Sequence, residues 1–84
     1  MSEAVDTALA DRVRRVIEAR VPDALIDMAD DYSGRISVVV VSASFNGVPD
    51  EDRQARLWRA LRDELGDEAL GVGLVLAYST EELH

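Results

Sequence analysis

The sequence predicts an α/β domain in which two helices pack against a three-stranded mixed sheet, in the order α-β-β-α-β. Two segments carry apolar residues at the 3.6-residue period of an amphipathic helix. Three other segments are short runs rich in valine, isoleucine or leucine, a composition that favours strands. A short loop separates the first two runs and a helix separates the last two, which predicts an antiparallel pair followed by a parallel neighbour.

The first helix is predicted over residues 5–20. Its apolar residues fall at offsets of 4, 8, 11 and 12 from the first one and therefore share one face: Val5, Leu9, Val13, Val16 and Ile17. Arginines gather towards its end, where the helix dipole favours positive charge. The pair Val21-Pro22 stops the helix, because the residue before a proline is pushed out of helical geometry.

Two strands are predicted next. Residues 24–30 form a short mixed run in which Ile26 and Met28 face a core, and residues 30–34 form a hairpin loop. The run over residues 36–43 is the clearest strand, because four consecutive valines resist a helix and suit a pleated surface. It is apolar on both faces, which predicts a central position in the sheet.

A turn over residues 45–49 leads into the second helix, with Pro49 at the first helical position and three acidic residues behind it, where negative charge is favourable. Gly66 is the predicted C-terminal cap of this helix. The last strand is predicted over residues 72–78, and residues 79–83 close the chain with a helical turn. The buried stripe of the helix is predicted to be Leu57, Trp58, Leu61 and Leu65.

The charge of the chain disfavours nucleic acid as a partner. All nine basic residues are arginine and the net charge is −8, so the surface repels phosphate backbones; we interpret the acidity as a source of solubility. The nearest approach to a basic stripe runs along the second helix, where we predict neutralisation by the i,i+4 pairs Asp52–Arg56 and Arg59–Asp63. The stripe consists of Arg53, Arg56, Arg59 and Arg62.

One face of the predicted sheet is a candidate docking surface. If both helices cover the same face, the apolar residues on the other face of the central and last strands stay partly open, unless loops or the terminal turn shield them. Asp27 interrupts the first strand, and we interpret it as a marker of the solvent-facing side.

No catalytic or metal-binding residues are predicted. The chain has no cysteine and its one histidine is His84 at the end, which excludes Ser-His and Cys-His catalysis, cysteine-based zinc sites and disulfides. Pairs of acidic residues occur only at element ends, where caps and turns favour them. The start of the chain lacks the features of a signal peptide and no run reaches the length of a membrane span. We expect one cytoplasmic domain over residues 1–84.

Several segments together resemble the BolA-like family. The most specific segment is residues 33–42, Ser-Gly-Arg-Ile-Ser-Val-Val-Val-Val-Ser, followed by Phe45-Asn46-Gly47. Further similarity lies in Arg53, in residues 57–61 of the second helix and in residues 74–82. The resemblance covers nearly the whole chain, and it implies an α-β-β-α-β fold related to the KH type.

The resemblance implies a non-enzymatic protein that pairs with monothiol glutaredoxins, often around a shared [2Fe-2S] cluster; some members act as transcriptional regulators in stress response and cell shape. This chain departs from the family at the ligands. The Arg-His-Arg triplet of the family falls on Arg53-Gln54-Ala55, its histidine at the start of the last strand falls on Gly71, and its hairpin Cys or His falls among residues 31–35. None of these positions offers an imidazole or a thiolate, so we predict that cluster ligation is lost and expect no cofactor.

Three functions remain open at this point. The first is a partner-binding adaptor or regulator that contacts a glutaredoxin or another protein. The second is a nucleic-acid-binding transcriptional regulator, and the third is a structural subunit of a larger assembly, with self-association as one form of it. For the adaptor, the predicted contact surface consists of Phe45, Asn46, Gly47, Arg53, Gln54 and Gly71.

Overall fold

The computed structural model describes residues 7–30 and 34–83. Its helices and strands follow the predicted order: α1 (Thr7–Arg20), β1 (Leu25–Asp30), β2 (Ile36–Ser42), α2 (Asp50–Leu65) and β3 (Val72–Ser79). Three short 3-10 turns join or follow them, over Ala43–Phe45, Gly66–Gly71 and Thr80–Leu83. The last of these is the predicted terminal turn. Val5, most of the hairpin loop and His84 lie outside the described residues.

The sheet has the order β1-β2-β3. Strand β2 is antiparallel to β1 and parallel to β3, which confirms its predicted central position. Ile36 pairs with Val72 where β2 and β3 begin, and Ser42 pairs with Ser79 where both end. We call these edges of the sheet the hairpin end and the turn end, because the β1–β2 hairpin lies at the first and the turn before α2 at the second.

The core lies between the two helices and one face of the sheet. Alternate residues of β2 are buried, from Ile36 to Ser42, as a strand with one fully covered face requires. The apolar stripe of α1 is buried as predicted from Leu9 to Ile17. In α2 the predicted stripe is only partly correct, because Trp58 and Leu65 are half-buried at the edge of the core. The fully buried side chains of α2 are Leu57, Ala60 and Leu61.

The ends of α2 are set by a proline and a glycine. The prediction for Pro49 is wrong by one position, since Pro49 has extended backbone (φ −58°, ψ 146°) and precedes the helix. The ring fixes φ and leaves ψ free, so the carbonyl of Pro49 can accept the N–H of Asp52 at 3.0 Å and of Arg53 at 3.1 Å. Gly66 is confirmed as the cap: at φ 56° its N–H bonds to the carbonyl of Arg62, a backbone conformation that suits glycine.

The ion pairs join different elements. Among residues 7–30 and 34–83 they are Arg12–Glu68, Arg20–Glu64 and Arg53–Glu82, so the predicted i,i+4 pairs along α2 do not form. Such exposed pairs contribute only about 0.3–0.5 kcal/mol on a helix, too little to hold two long side chains in one geometry. Arg53 also leaves the predicted basic stripe, because its side chain turns into the protein.

The face of the sheet away from the helices is partly open, so shielding by loops or the terminal turn, the alternative that the sequence left, is incomplete. Leu25 is 72% exposed, Leu74 47% and Tyr78 36%. Asp27 is exposed on the same face, opposite Val39, which agrees with its interpretation as a marker of the solvent-facing side.

Candidate functional site

The six residues predicted to contact a partner do not form one surface. Four of them lie at the turn end, whereas Gly71 precedes β3 at the hairpin end. Gln54 lies between the two ends, where its Nε2 donates to the carbonyl of Val75 at 2.7 Å. The four at the turn end are Phe45, Asn46, Gly47 and Arg53.

Arg53 holds the turn end together. Its side chain is buried, its Nε donates to the carbonyl of Val48 at 2.7 Å, and its Nη1 donates to the carbonyl of Ala77 at 3.1 Å. The same Nη1 donates to Glu82 Oε1 at 2.5 Å, and the guanidinium lies 5.9 Å from the ring centroid of Phe45. One cation therefore joins the turn, the end of β3 and the terminal 3-10 turn, and it has little surface left for a partner.

The other residues of the turn divide between core and surface. Phe45 is buried in the core, so it cannot contact a partner without rearrangement. Asn46 is exposed, and its Oδ1 accepts a hydrogen bond from Thr80 Oγ1 at 3.3 Å. Gly47 is exposed with φ 78°, a left-handed conformation that the tight turn requires and that glycine adopts without strain.

Glu82 caps the terminal 3-10 turn. Its Oε1 accepts the N–H of Ser79 at 2.7 Å, and its own N–H bonds to Ser79 Oγ at 3.3 Å. The hydrogen bond from the Ser79 backbone, followed by the one from Arg53, lowers the pKa of Glu82. The carboxylate thus stays charged and fixes the end of the described chain beside Arg53.

A second polar cluster at the turn end was missed by the sequence reasoning. Asp23, in the loop after α1, accepts Ser42 Oγ at 2.6 Å and the N–H of Ala43 at 3.1 Å, and Ser42 Oγ also accepts the N–H of Ser44 at 3.0 Å. The bond from Ser42 is the main cause of a lowered pKa at Asp23, so this carboxylate is a weak base and serves as a cap. Nothing in the sequence links residues so far apart along the chain.

At the hairpin end, Gly71 occupies the position at which the resemblance expects an iron-binding histidine. A Cβ added at Gly71 would lie 2.5 Å from Leu9 Cδ2, so the side chain of Leu9 fills the space where any larger residue would begin. Glycine also has no side-chain atom that could ligate iron. As it stands, the position therefore offers a cluster no side-chain ligand, and a larger residue there would require the side chain of Leu9 to move.

A cavity of about 480 Å³ opens beside Gly71. The guanidinium of Arg62 lies 5.8 Å from the centroid of the Trp58 ring on its wall, and Leu70 at its rim is 74% exposed. Its charged lining residues are Arg35, Arg62 and Asp67. We call it the hairpin-end cavity; it is lined by Arg35, Trp58, Arg62, Gly66, Asp67, Ala69, Leu70 and Val72.

Within residues 7–30 and 34–83, no group of three or more histidine, cysteine, aspartate or glutamate side chains is arranged to hold a metal ion. The two helices of the same ranges are too short or too polar to cross a bilayer.

Comparison with solved structures identifies the architecture. BolA1 from Arabidopsis thaliana superposes with a TM-score of 0.72 at 21% identity, over 88% of this chain and 94% of that one. The chain has a BolA-like fold. The BolA domain of SufE1 from Arabidopsis thaliana gives a TM-score of 0.66 at 22% identity, over 86% of this chain and 92% of that one. No family model and no curated protein matches the sequence.

The BolA-like fold confirms the resemblance that the sequence carries, and it confirms the predicted α/β class with two helices and a three-stranded mixed sheet. At this identity the likeness defines the architecture and leaves function to the residues of this chain. At the hairpin end those residues include the half-buried Trp58 and the exposed Leu70, and at the turn end Arg53 and Asp23 are engaged in structural hydrogen bonds.

Proposed function

We propose that this chain is a non-enzymatic adaptor that binds a protein partner at the hairpin-end cavity and has no iron–sulfur ligands of its own. The observation that carries the proposal is the composition of that cavity: a half-buried tryptophan, two arginines and a highly exposed leucine at its rim. Tryptophan and arginine are the residues that most often dominate binding energy at protein interfaces.

The partner class follows from the resemblance and from the residues that line the cavity. A monothiol glutaredoxin is the partner that the resemblance implies, and Arg62 in the cavity wall favours a partner that presents a carboxylate, which a guanidinium group binds in a bidentate manner. Since Gly71 offers no side-chain ligand, the proposal specifies a complex without a cluster ligated by this chain.

Co-expression with a monothiol glutaredoxin, followed by gel filtration and an absorption spectrum, tests the proposal. The expected product is a heterodimer whose visible spectrum shows no histidine-ligated iron–sulfur cluster. A reddish heterodimer with such a spectrum would contradict the loss of ligands, and the absence of any complex would exclude glutaredoxin as the partner.

Two charge insertions locate the contact. Leu70→Glu introduces a carboxylate at the rim of the cavity and is expected to abolish the complex. Leu25→Glu is the matched control, because Leu25 is 72% exposed and Leu70 is 74% exposed, yet Leu25 lies on the open face of the sheet. Equal loss of binding in both variants, or loss in Leu25→Glu alone, would place the contact elsewhere.

Nucleic-acid binding is the second candidate, and one observation favours it. Arg56 and Arg59 are exposed and line a shallow depression with Asp52 and Ala55, and neither forms an ion pair with the residues that the structure describes. Two arginines on a chain of net charge −8 supply little phosphate neutralisation. Titration with duplex DNA at low and moderate salt is expected to show no tight binding; tight binding with a steep salt dependence would replace the adaptor proposal.

A further inference from the structure

The open face of the sheet is a mostly apolar surface with a single charge. The strand registers arrange its residues in three rows, each running from β1 through β2 to β3. Leu25 and Leu74 are exposed on this face, and Val39, Val41 and Leu76 are half-buried. The rows are Leu25-Val41-Tyr78, Asp27-Val39-Leu76 and Ala29-Ser37-Leu74.

Asp27 is the only charged residue among these nine. It stands in the middle row at the β1 side, opposite Val39 and between the rows of Leu25 and Ala29. The three strands contain no arginine, lysine or histidine, so no cation from the sheet itself faces this carboxylate. A molecule that covers the face must either supply a positive group to Asp27 or bury an unpaired carboxylate, which costs several kcal/mol.

A second copy of this chain does not meet that requirement. Stacking two open faces about a two-fold axis parallel to the strands sets Asp27 of one copy against Leu76 of the other. An axis across the strands sets the two Asp27 carboxylates against each other. Both arrangements bury charge without a partner, so Asp27 acts against self-association, as inward-pointing charges on exposed sheets do.

The dimensions of the face match one helix. Three strands about 4.8 Å apart present a surface about 10–15 Å wide, and three rows spaced about 6.6 Å apart make it about 13–20 Å long. An α-helix with its side chains is about 10–12 Å in diameter and rises 5.4 Å per turn, so about three to four turns cover the face. The area is well below the roughly 800 Å² per partner of a standard interface between folded domains.

We propose that the open face binds an amphipathic helix of another protein, whose apolar stripe carries one arginine or lysine that pairs with Asp27. The apolar rows bury the stripe, and the carboxylate selects the helix and fixes its register. This site is on the sheet face opposite α1 and α2 and does not depend on the function proposed for the hairpin-end cavity.

The test uses the full chain and a set of synthetic helical peptides of about four turns. Each peptide has a leucine-rich stripe with arginine, glutamine or glutamate at one central position of the stripe. Dissociation constants are measured by fluorescence anisotropy against wild-type protein and three variants: Asp27→Asn, Asp27→Arg and Asp30→Asn. The last is the matched control, because Asp30 is also an exposed acid of β1 but pairs with Ile36 in the core-facing set.

The wild-type chain and Asp30→Asn are expected to bind the arginine peptide at least about tenfold more tightly than the glutamine peptide, since close charge pairs across an interface couple by at least that factor. Asp27→Asn removes the preference, and Asp27→Arg reverses it in favour of the glutamate peptide.

Equal binding of the arginine and glutamine peptides, a preference that survives in Asp27→Asn, or no binding of any peptide at millimolar concentration overturns the proposal. Sedimentation adds a further outcome. A wild-type dimer that Val39→Asp dissociates would show that a second copy occupies the face, contrary to the proposal.

Discussion

Replacing Arg53 with methionine tests the structural role of its guanidinium. Methionine retains most of the apolar stem and removes the hydrogen bonds to the carbonyls of Val48 and Ala77. Each bond from a charged donor contributes about 1.5–3 kcal/mol, so the loss is at least about 3 kcal/mol. The ion pair with Glu82 adds little to this loss, because about half of the Glu82 side chain is exposed to solvent. A chain of this size has about 4–13 kcal/mol of stability in total.

Urea unfolding followed by Trp58 fluorescence measures the loss. With an m-value of about 1–2 kcal/mol/M, the midpoint of Arg53→Met is expected to fall by about 1.5–3 M at unchanged m. Arg53→Lys is the control, and its urea midpoint should lie between those of the wild type and Arg53→Met, because lysine restores the charge but not the planar array of donors. A midpoint shift below about 0.5 M in Arg53→Met would refute the reasoning and would return Arg53 to the set of surface residues available to a partner.

Three further predictions concern titration, packing and the helix cap. Hydrogen bonds lower the pKa values of Glu82 and Asp23 below their ordinary 4.5 and 3.8. The stability that these carboxylates contribute is therefore complete above pH 4.5 and is lost as the pH falls through the lowered values. When the urea midpoint is plotted against pH, the midpoint of Glu82→Gln should fall less steeply in acid than that of the wild type. Gly71→Ala should destabilise the fold by about 1 kcal/mol, because the new Cβ meets Leu9, and it should be neutral in a Leu9→Ala background. A double-mutant cycle of melting temperatures measures this non-additivity. Equal effects of Gly71→Ala in both backgrounds would show that the Cβ does not meet Leu9. Gly66→Ala should lower the unfolding free energy by about 1 kcal/mol, because φ is 56° there. An unchanged melting curve would show that this backbone conformation accepts a Cβ without strain.

The helices and strands could be predicted because each depends on a pattern of residues that are close in sequence. The run of valines predicts strand β2, and the apolar period predicts helix α1; neither prediction needs a residue that is distant in sequence. Gly66 ends α2 for the same local reason. Pro49 was misplaced by one residue because the ring leaves ψ undetermined, and ψ decides whether the helix has begun.

The candidate site was predicted less well, because its residues act through distant contacts. Arg53 falls in an i,i+3 series of arginines, which suggests a surface stripe; its burial depends on carbonyls of Val48 and Ala77 that only the tertiary fold brings near. Phe45 lies in a turn, and the turn folds back over the core. The hairpin-end cavity joins Arg35 to residues of α2 and of the turn before β3, and no spacing in the sequence indicates that meeting.

The open face shows how far the pattern reasoning extends. From the number of helices the sequence predicts a partly open apolar face unless loops or the terminal turn shield it, and the structure leaves Leu25, Leu74 and Tyr78 exposed there. The registers add what the sequence could not supply, namely that Asp27 shares a row with Val39 and Leu76. The position of one carboxylate relative to eight uncharged neighbours, most of them apolar, is what makes a specific partner chemistry testable.

The most direct test of the proposed adaptor role is an NMR titration of the isotopically labelled chain with an unlabelled apo monothiol glutaredoxin. The proposal expects saturable shifts concentrated at Arg35, Trp58, Arg62 and Leu70, including the indole N–H of Trp58, while the amides of Asn46 and Gly47 stay unchanged. Shifts confined to the turn end, or no shifts at millimolar partner, would contradict it.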